Sequence, residues 1–564
     1  TRGSNLSATR VNASQLIEKG RENLLLQSNQ FDTTWGLSAA ITITSGQSGY
    51  DGTNDAWLLK RSDANSRFIF QDITSSGVNT FSFFAKPESV NFVFVYCFNA
   101  GGNDAGVYLD LANGTVGNTS GAGLIDSKIT LSTNGFYRCS LTMNNLTQAR
   151  IYPAVANGSV TGGVSNAGIY IQDAQLEKGL VATPYIETGA TTAQAGILEN
   201  TPRFDYSGGA TCPSLLLEPS RSNGIAQSEY FSSWTLYAGI LTPNATISPE
   251  GVQNAYLFTE DTTTGYHRFT SAASATSSNK LYSVYAKWAG GTGRKWLTVD
   301  NGPTAWFDLE NGVVGAAQGS VVISMEDVGN GWYRCIYYNP ASTTSGIFIG
   351  IALNNGGAGN HLGNGQPAFS IYGAQCEDNA TYETSYIPTY GVSQTRASEV
   401  FGGAGDSSTF NDSEGVLYAE IEALANDGTN RVITISDGTT SNRVQIYFNS
   451  SNGITGGVAG QAVISFSGDF TQNTKVAFKY KVNDFALWVN GVKVGTDIVG
   501  SAPTGLNVIN FNNGASGSNF YGKTKELIVF PTALSDLDLA ILTGATTYNT
   551  FAAMALALNY TVYE

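Results

Sequence analysis

Apolar residues along the first 400 positions come in short bursts, with polar residues at partly alternating positions inside them. TFSFFAK at 80–86, FVFVYCF at 92–98, GVYLDL at 106–111 and FYRCSL at 136–141 are aromatic and β-branched. Such runs predict strands rather than helices. Between them stand Asn113-Gly114, Asn134-Gly135 and Asn311-Gly312, pairs that accept the positive φ of tight turns. No helical stripe of ten or more residues interrupts this region.

The bursts recur. QSNQFDTTW at 27–35 returns as QSEYFSSW at 227–234, NTFSFFAK at 79–86 as KLYSVYAK at 280–287, and YLDLANGTVG at 108–117 as WFDLENGVVG at 306–315. NGFYRCSL at 134–141 returns as NGWYRCIY at 330–337, IYIQDAQLEKG at 169–179 as IYGAQCEDN at 371–379, and TPYIETG at 183–189 as TSYIPTYG at 384–391. The copies lie roughly 200 residues apart, so a whole domain is duplicated in tandem. Many short strands in each copy predict a two-sheet sandwich of jelly-roll type. Phe31 and Phe231, Trp35 and Trp234, and Tyr137 and Tyr333 are its expected core anchors. Arg138 and Arg334 lie on strands, where an ion pair with Asp110 or Asp308 is one reading. The segment 201–223 is punctuated by Pro, Gly and Ser as a connector. Its Phe204, Tyr206 and Leu215–Leu217 need burial, so it is expected to pack along the domain surfaces and fix their orientation.

From about 400 the pattern changes. GVLYAEIEAL (415–424), RVITISDG (431–438) and RVQIYFNS (443–450) read as strands, and FALWVNGVKVG (485–495) as a hairpin across Asn490-Gly491. ALSDLDLAILTG (533–544) reads as a short helix capped by Ser535 with Asp538 at the third position, lying against a sheet edge. The apolar start of 551–564 is compatible with strand or helix.

Composition sharpens this. The 564 residues are 42% hydrophobic but only 13% charged, and the net charge is −15. That apolar content fills cores and argues against disorder, while the acidic balance without a basic stretch argues against nucleic acid as partner. Two His leave little for imidazole chemistry. The five Cys are too scattered for a disulfide framework and are read as buried small hydrophobes. No apolar run is long enough for a membrane span. The first residues show no signal-peptide core, and the chain is expected to begin partway through a longer assembly.

Two resemblances follow. Val489-Asn490-Gly491, Val529-Phe530-Pro531 and Ala533-Leu534-Ser535-Asp536 are similar to the ending of laminin-G-like members of the concanavalin A-like lectin and glucanase superfamily. That resemblance implies a lectin-like sandwich and leaves activity open. The elements Ser7–Asn12, Gln27–Trp35 and Leu215–Asn223 resemble signatures of bacteriophage virion and prophage tail proteins. There they introduce carbohydrate-binding-module-like sandwiches on fibres, spikes and capsid appendages. RENLLLQS at 21–28 lacks the usual Glu-Pro, and SQTRAS at 393–398 repeats the opening SATRVN.

Candidate chemistry is sparse. A glycosidase needs two carboxylates facing a cleft. Glu420 and Glu422 would share a strand face, but no third acid follows at the spacing that lectin-like glucanases use. His267 and Arg268 could serve a lyase, yet the first copy keeps Arg67 and Phe68 without a His, so His267 is read as an exposed or loop residue. No G-x-S-x-G elbow occurs, His361 lies in a predicted loop, and the Gly-rich 101–106 and 355–360 lack the context of a phosphate loop. Asp51, Asp55 and Asp437 offer hard oxygen ligands, so a structural calcium is the one ion considered, with no cofactor otherwise. Sugars dock on exposed aromatic faces. Trp57 and Tyr256 occupy equivalent places, as do Tyr108 and Trp306, and Trp288, Trp296 and Trp488 complete the candidates. Each is also readable as a core residue.

The expectation is an all-β chain of tandem antiparallel β-sandwiches, two homologous jelly rolls followed by a concanavalin A-like sandwich. Its parts are an N-terminal connector (1–22), module 1 (23–195), a connector (196–223), module 2 (224–398), the lectin-like domain (399–546) and a C-terminal segment (547–564). Function is expected to be non-enzymatic: a phage tail-fibre or capsid-decoration protein on the virion that binds host surface polysaccharide, contacts other virion proteins and forms homo-oligomers, a trimer first. A purely structural role and a polysaccharide depolymerase are the alternatives.

Overall fold

The structure, a computed structural model, describes residues 6–163, 165–198, 200–544 and 551–558. It is built almost wholly of antiparallel strands in several sheets, arranged as tandem β-sandwiches. In the first, strand Val78–Pro87 lies between Tyr137–Asn144 and Gly168–Lys178 at the centre of one six-stranded sheet. A second six-stranded sheet, containing Phe92–Asn99 and Leu146–Ala154, closes the core around Phe31, Trp35, Phe81, Phe83, Val95 and Ile151. The second sandwich repeats the plan, with Lys280–Trp288 between Trp332–Asn339 and Pro367–Asp378. In the third, Glu414–Ala423 lies between Thr474–Lys481 and Gly522–Phe530.

The duplication extends to single atoms. Asn23 Nδ2 donates to the carbonyls of Ala174 and Ile186 at 3.1 and 2.8 Å, and Asn223 Nδ2 to those of Ala374 and Ile387 at 3.0 and 2.9 Å. Trp35 and Trp234 each donate Nε1 to the carbonyl of a glutamine, Gln27 or Gln227. The last long strand of each copy is bulged at the same place, where Asp173 and Gly373 both take positive φ (51° and 58°). Such a bulge re-aims the strand, and its left-handed residue explains the Gly of the second copy.

The connector does more than pack along surfaces. Its strand Ser214–Leu217 pairs with Gly522–Phe530, so the connector adds two strands to the seven-stranded sheet of the third sandwich. Before it, the hairpin Thr9–Val11/Ile17–Lys19 is tied to the connector by the Val11 N–H, which donates to Asp205 Oδ1 at 2.9 Å, and by the Tyr206 N–H, which donates to the Val11 carbonyl.

A buried ion network locks the junction. Arg203, 1% exposed, donates Nη2 to Glu218 at 2.6 Å and to Glu399, while Arg396 lies 2.9 Å from Glu218. Burial opposes ionisation of Glu218, but Arg396 and Arg203 outweigh it and hold the carboxyl at about 2.

Helix α1 (Asp536–Thr543) starts as expected, with Ser535 Oγ accepting from the Asp538 N–H at 3.2 Å. It does not sit on a sheet edge. Leu539 and Leu542, with Met554 and Leu558 from the region of helix α2 (Phe551–Ala557), cover the outer face of the seven-stranded sheet over Tyr418, Ala477 and Trp488. Residues 545–550 and 559–564 of the C-terminal segment lie outside the described residues. No helix among the described residues is long and apolar enough to cross a membrane.

Three expectations are corrected. Four cysteines are buried and unpaired, but Cys212, in the connector turn, is exposed. Tyr137 and Tyr333 pack at the rim of their cores rather than inside them. Neither strand arginine pairs with its proposed aspartate, because Asp308 pairs with Lys295 at 2.8 Å and Asp110 accepts from Ala112 and Asn113 in its own turn.

Replacing Arg203 by Ala takes one of two cations from Glu218 and breaks the ion pair with Glu399 in a dry junction, so it should destabilise the chain by about 3–5 kcal/mol. Denaturant unfolding measures this, and limited proteolysis should reveal cleavage near the connector, with the three sandwiches separating before they melt.

Candidate functional site

The alternation of strand Tyr137–Asn144 decides what the first sandwich shows to solvent. Cys139, Leu141 and Met143 enter the core, so Arg138, Ser140 and Thr142 stand on the opposite face. Register brings Thr130, Lys128 and Asp126 of the edge strand beside them, and Phe84, Ser82 and Thr80 on the other side. All but Ser82 and Thr80 line an open groove of about 410 Å³, whose other wall is Leu180–Ala182 with Val252 and Gln253 from the second copy. It therefore lies where the two copies meet.

Arg138 is its centre. Nη2 donates to Ser82 Oγ at 3.1 Å, and the guanidinium sits 5.2 Å from the centroid of Phe84, which Tyr50 covers in a stacked pair at 3.7 Å. Its Nε finds no partner, and no carboxylate lies within ion-pair distance among the described residues. Desolvation lowers its pKa, with Glu177, Tyr50 and Asp173 opposing from further away. The Thr130 hydroxyl and the Lys128 ammonium are exposed at the edge strand, while Thr142 is buried and donates to the Leu180 carbonyl at 3.2 Å.

The same face of the second copy is closed. There Ile17, from the N-terminal hairpin, packs with Tyr285, Trp332, Tyr372 and Tyr386. Lys19 is buried 3.0 Å from Glu229 and 2.7 Å from Glu250, and these carboxylates overcome the burial that disfavours its charge. Arg334, counterpart of Arg138, is 6% exposed and uses Ser283 Oγ and the Thr384 carbonyl as acceptors. Ile336 and Tyr338 replace Ser140 and Thr142.

None of the aromatic candidates lines the groove. Trp57 is a core residue whose Nε1 donates to the Asn29 carbonyl at 2.9 Å, and Tyr256 is wholly buried. Tyr108 stacks on Phe94 at 4.2 Å, Trp306 donates to the Gly357 carbonyl at 3.2 Å, and Trp488 lies beneath the C-terminal helices. These five rings offer no open face for stacking a sugar. Trp288 and Trp296 are half-buried, Trp288 against the second core and Trp296 beside Lys295.

The calcium candidates are otherwise engaged. Asp51 and Asp55 both accept from Gln172 Nε2, and Thr53 Oγ1 lies between them with its one proton for either, so donors occupy the space between the carboxylates. Asp437 accepts from Thr439 and Asn442. No three His, Cys, Asp or Glu side chains come together as a metal site among the described residues. The donor set as arranged does not fit a calcium ion.

The enzyme candidates are scattered. Glu420, 4% exposed, accepts from Asn473 at 2.6 Å, and a bulge separates it from Glu422, which lies 3.7 Å from Lys523. His267 is not exposed: at 1% exposure it packs on His361, ring centroids 4.6 Å apart, and Nδ1 lies 2.7 Å from the Ala238 carbonyl. His361 is in strand Asn360–Leu362 rather than a loop, 2.7 Å from the buried Glu260. Arg268 lies among Tyr237, Tyr266 and Phe348.

No family model matches the chain, and no curated protein matches it. Among solved structures, the carbohydrate-binding module CBM40 of a Ruminococcus gnavus IT-sialidase is 14% identical over 26% of this chain and 97% of that one, with a TM-score of 0.22. The tandem CBM22 domains of Paenibacillus barcinonensis Xyn10C are 10% identical over 64% and 98%, with a TM-score of 0.19. The LG1-3 region of the laminin alpha2 chain is 9% identical over 83% and 96%, also at 0.19. Likenesses at this level carry no argument about ligand.

Sequence reasoning passed over Lys128, Ser140 and Thr142. Their signal was the difference between copies: small polar residues in the first where the second has Ile336 and Tyr338.

Beside the groove, Asp173 is buried near Asp55 and Asp51, and burial first, then these charges, push its carboxyl up to about 7 although Tyr50 OH donates to it at 2.9 Å. A carboxyl raised above its unfolded value costs stability as pH climbs from near 4 to near 7. Asp173→Asn should therefore stabilise little at pH 4 and by about 1–3 kcal/mol at pH 8. Melting temperatures across that range measure the slope, and Asn tolerates the positive φ.

Proposed function

We propose that this chain is a non-enzymatic structural or appendage protein of a bacteriophage particle, a tail fibre or capsid decoration, that binds host surface glycans through the groove of its first sandwich. The observation that carries the glycan reading is the contrast between the copies. One face is polar and open, while its counterpart is covered by the N-terminal hairpin, with its charged groups buried and paired or bonded internally. Saccharides present many hydroxyls of fixed geometry, and the exposed Thr130 hydroxyl with the Arg138 guanidinium and the Lys128 ammonium offers partners to them.

The jelly-roll and concanavalin A-like identities of the sandwiches, the virion location, and assembly as a homo-oligomer, a trimer first, belong to the same reading and rest on the sequence resemblance. One groove per chain favours assembly, because weak single sites gain avidity when subunits present them together. The enzyme candidates Glu420, Glu422 and His267 sit apart from the groove, which supports binding without turnover.

Thr130→Trp fills the groove from an exposed edge position. It should lower retention on host-envelope polysaccharide at least about tenfold while leaving the melting temperature within about 2 °C. Undiminished retention by this variant, or release of reducing ends from the polysaccharide by the unaltered chain, would count against the proposal. Imaging of intact particles tests the location.

A further inference from the structure

Resting on that reading of the groove, we infer that its ligand is an acidic saccharide whose carboxylate is received by Arg138, with Lys128 as the second cation. The chain carries a net charge of −15, so acidic side chains outnumber basic ones. Among its buried cations, Lys19, Arg203, Arg294 and Arg431 sit beside carboxylates, while Lys280 and Arg334 donate to backbone carbonyls. Arg138 and Lys128 have no such partner among the described residues, and both line one groove.

The duplicated copy shows what Arg138 lacks. Arg334 gains a backbone acceptor, the Thr384 carbonyl at 2.7 Å, beyond the serine hydroxyl that both arginines share. Thr183 and Thr384 both turn their N–H and hydroxyl to a buried glutamate, Glu177 or Glu377, but in the first copy the Thr183 carbonyl accepts from Gln175 Nε2 at 3.4 Å instead of from the arginine. Arg138 keeps the serine alone, so part of its planar fork is left for an acceptor from outside. A carboxylate matches that fork better than a hydroxyl does.

The acidic groups facing the groove do not fill the role. Asp126 is turned to Asn244 Nδ2 at 2.5 Å, and Glu177 is buried with Gln175 and Thr183. Lys128 stands two register positions along from Arg138, the next on the same face, opposite Ser140 and within the diagonal reach of neighbouring strands. Two cations with low-dielectric walls focus the potential for an anion. Because Tyr50 covers Phe84, ring stacking contributes little, and charge with hydroxyl hydrogen bonds supplies the recognition.

The test uses the full chain and four sets of oligosaccharides: oligogalacturonates and sialyllactose, their methyl esters, neutral counterparts, and phosphate-bearing oligosaccharides. The acids should bind at least about tenfold more tightly than their esters. Arg138→Gln should remove about tenfold or more of that affinity, Arg138→Lys less, and the exposed Lys128→Gln about threefold without touching the fold. Binding should weaken between low and high salt. Esters and neutral sugars bound as tightly as the acids, with both glutamine variants unimpaired, would overturn the carboxylate assignment and leave the glycan reading standing. Preference for the phosphate set would also overturn it. Binding of no saccharide at all would remove the glycan reading itself.

Discussion

A single guanidinium, Arg203, ties the connector to the second sandwich and to the N-terminal hairpin. It lies in the connector, yet its acceptors come from both ends of the second sandwich: Glu218 just before its first strand, and Glu399 just after its last. Arg396 adds a second positive charge beside Glu218. Four charges removed from water stabilise only as a complete set. The set therefore acts as a gauge of correct docking, satisfied in one arrangement and costly in any other. The strands that the connector lends to the third sandwich depend on the same placement.

The copies have diverged in a way that a single sandwich would hide. At atomic level they share the Asn23/Asn223 clamp, the tryptophan bonds and the bulge. Around these fixed points the outer faces went opposite ways. One carries Ile336, Tyr338 and the cover of Ile17, the other Ser140, Thr142 and an open cleft. Duplication supplied a scaffold twice, and one copy alone leaves this face open.

Much of this was legible in the residues. Alternation and Asn-Gly turns gave the strands, repetition gave the tandem organisation, and Ser535 with Asp538 gave the helix start. Inward and outward faces were not legible for Trp57, Tyr108 or Trp306, because strands buried on both faces lose their alternation. The burial of His267 and the pairing of the connector with Gly522–Phe530 depend on contacts far apart in sequence, which no local pattern encodes. Arg138 could be placed on a strand, but only the missing partner, a property of three dimensions, marks it out from Arg334.

The cover that the N-terminal hairpin gives the second sandwich has a consequence in time. Lys19 pairs with Glu229 and Glu250, residues made more than two hundred positions later. At a synthesis rate of roughly 5–20 residues per second, the first twenty residues wait many seconds for their seat to leave the ribosome. During that interval the first sandwich can close without them, whereas the outer face of the second stays bare until this hairpin folds back over it. Residues made before both sandwiches are thus among the last to find their place.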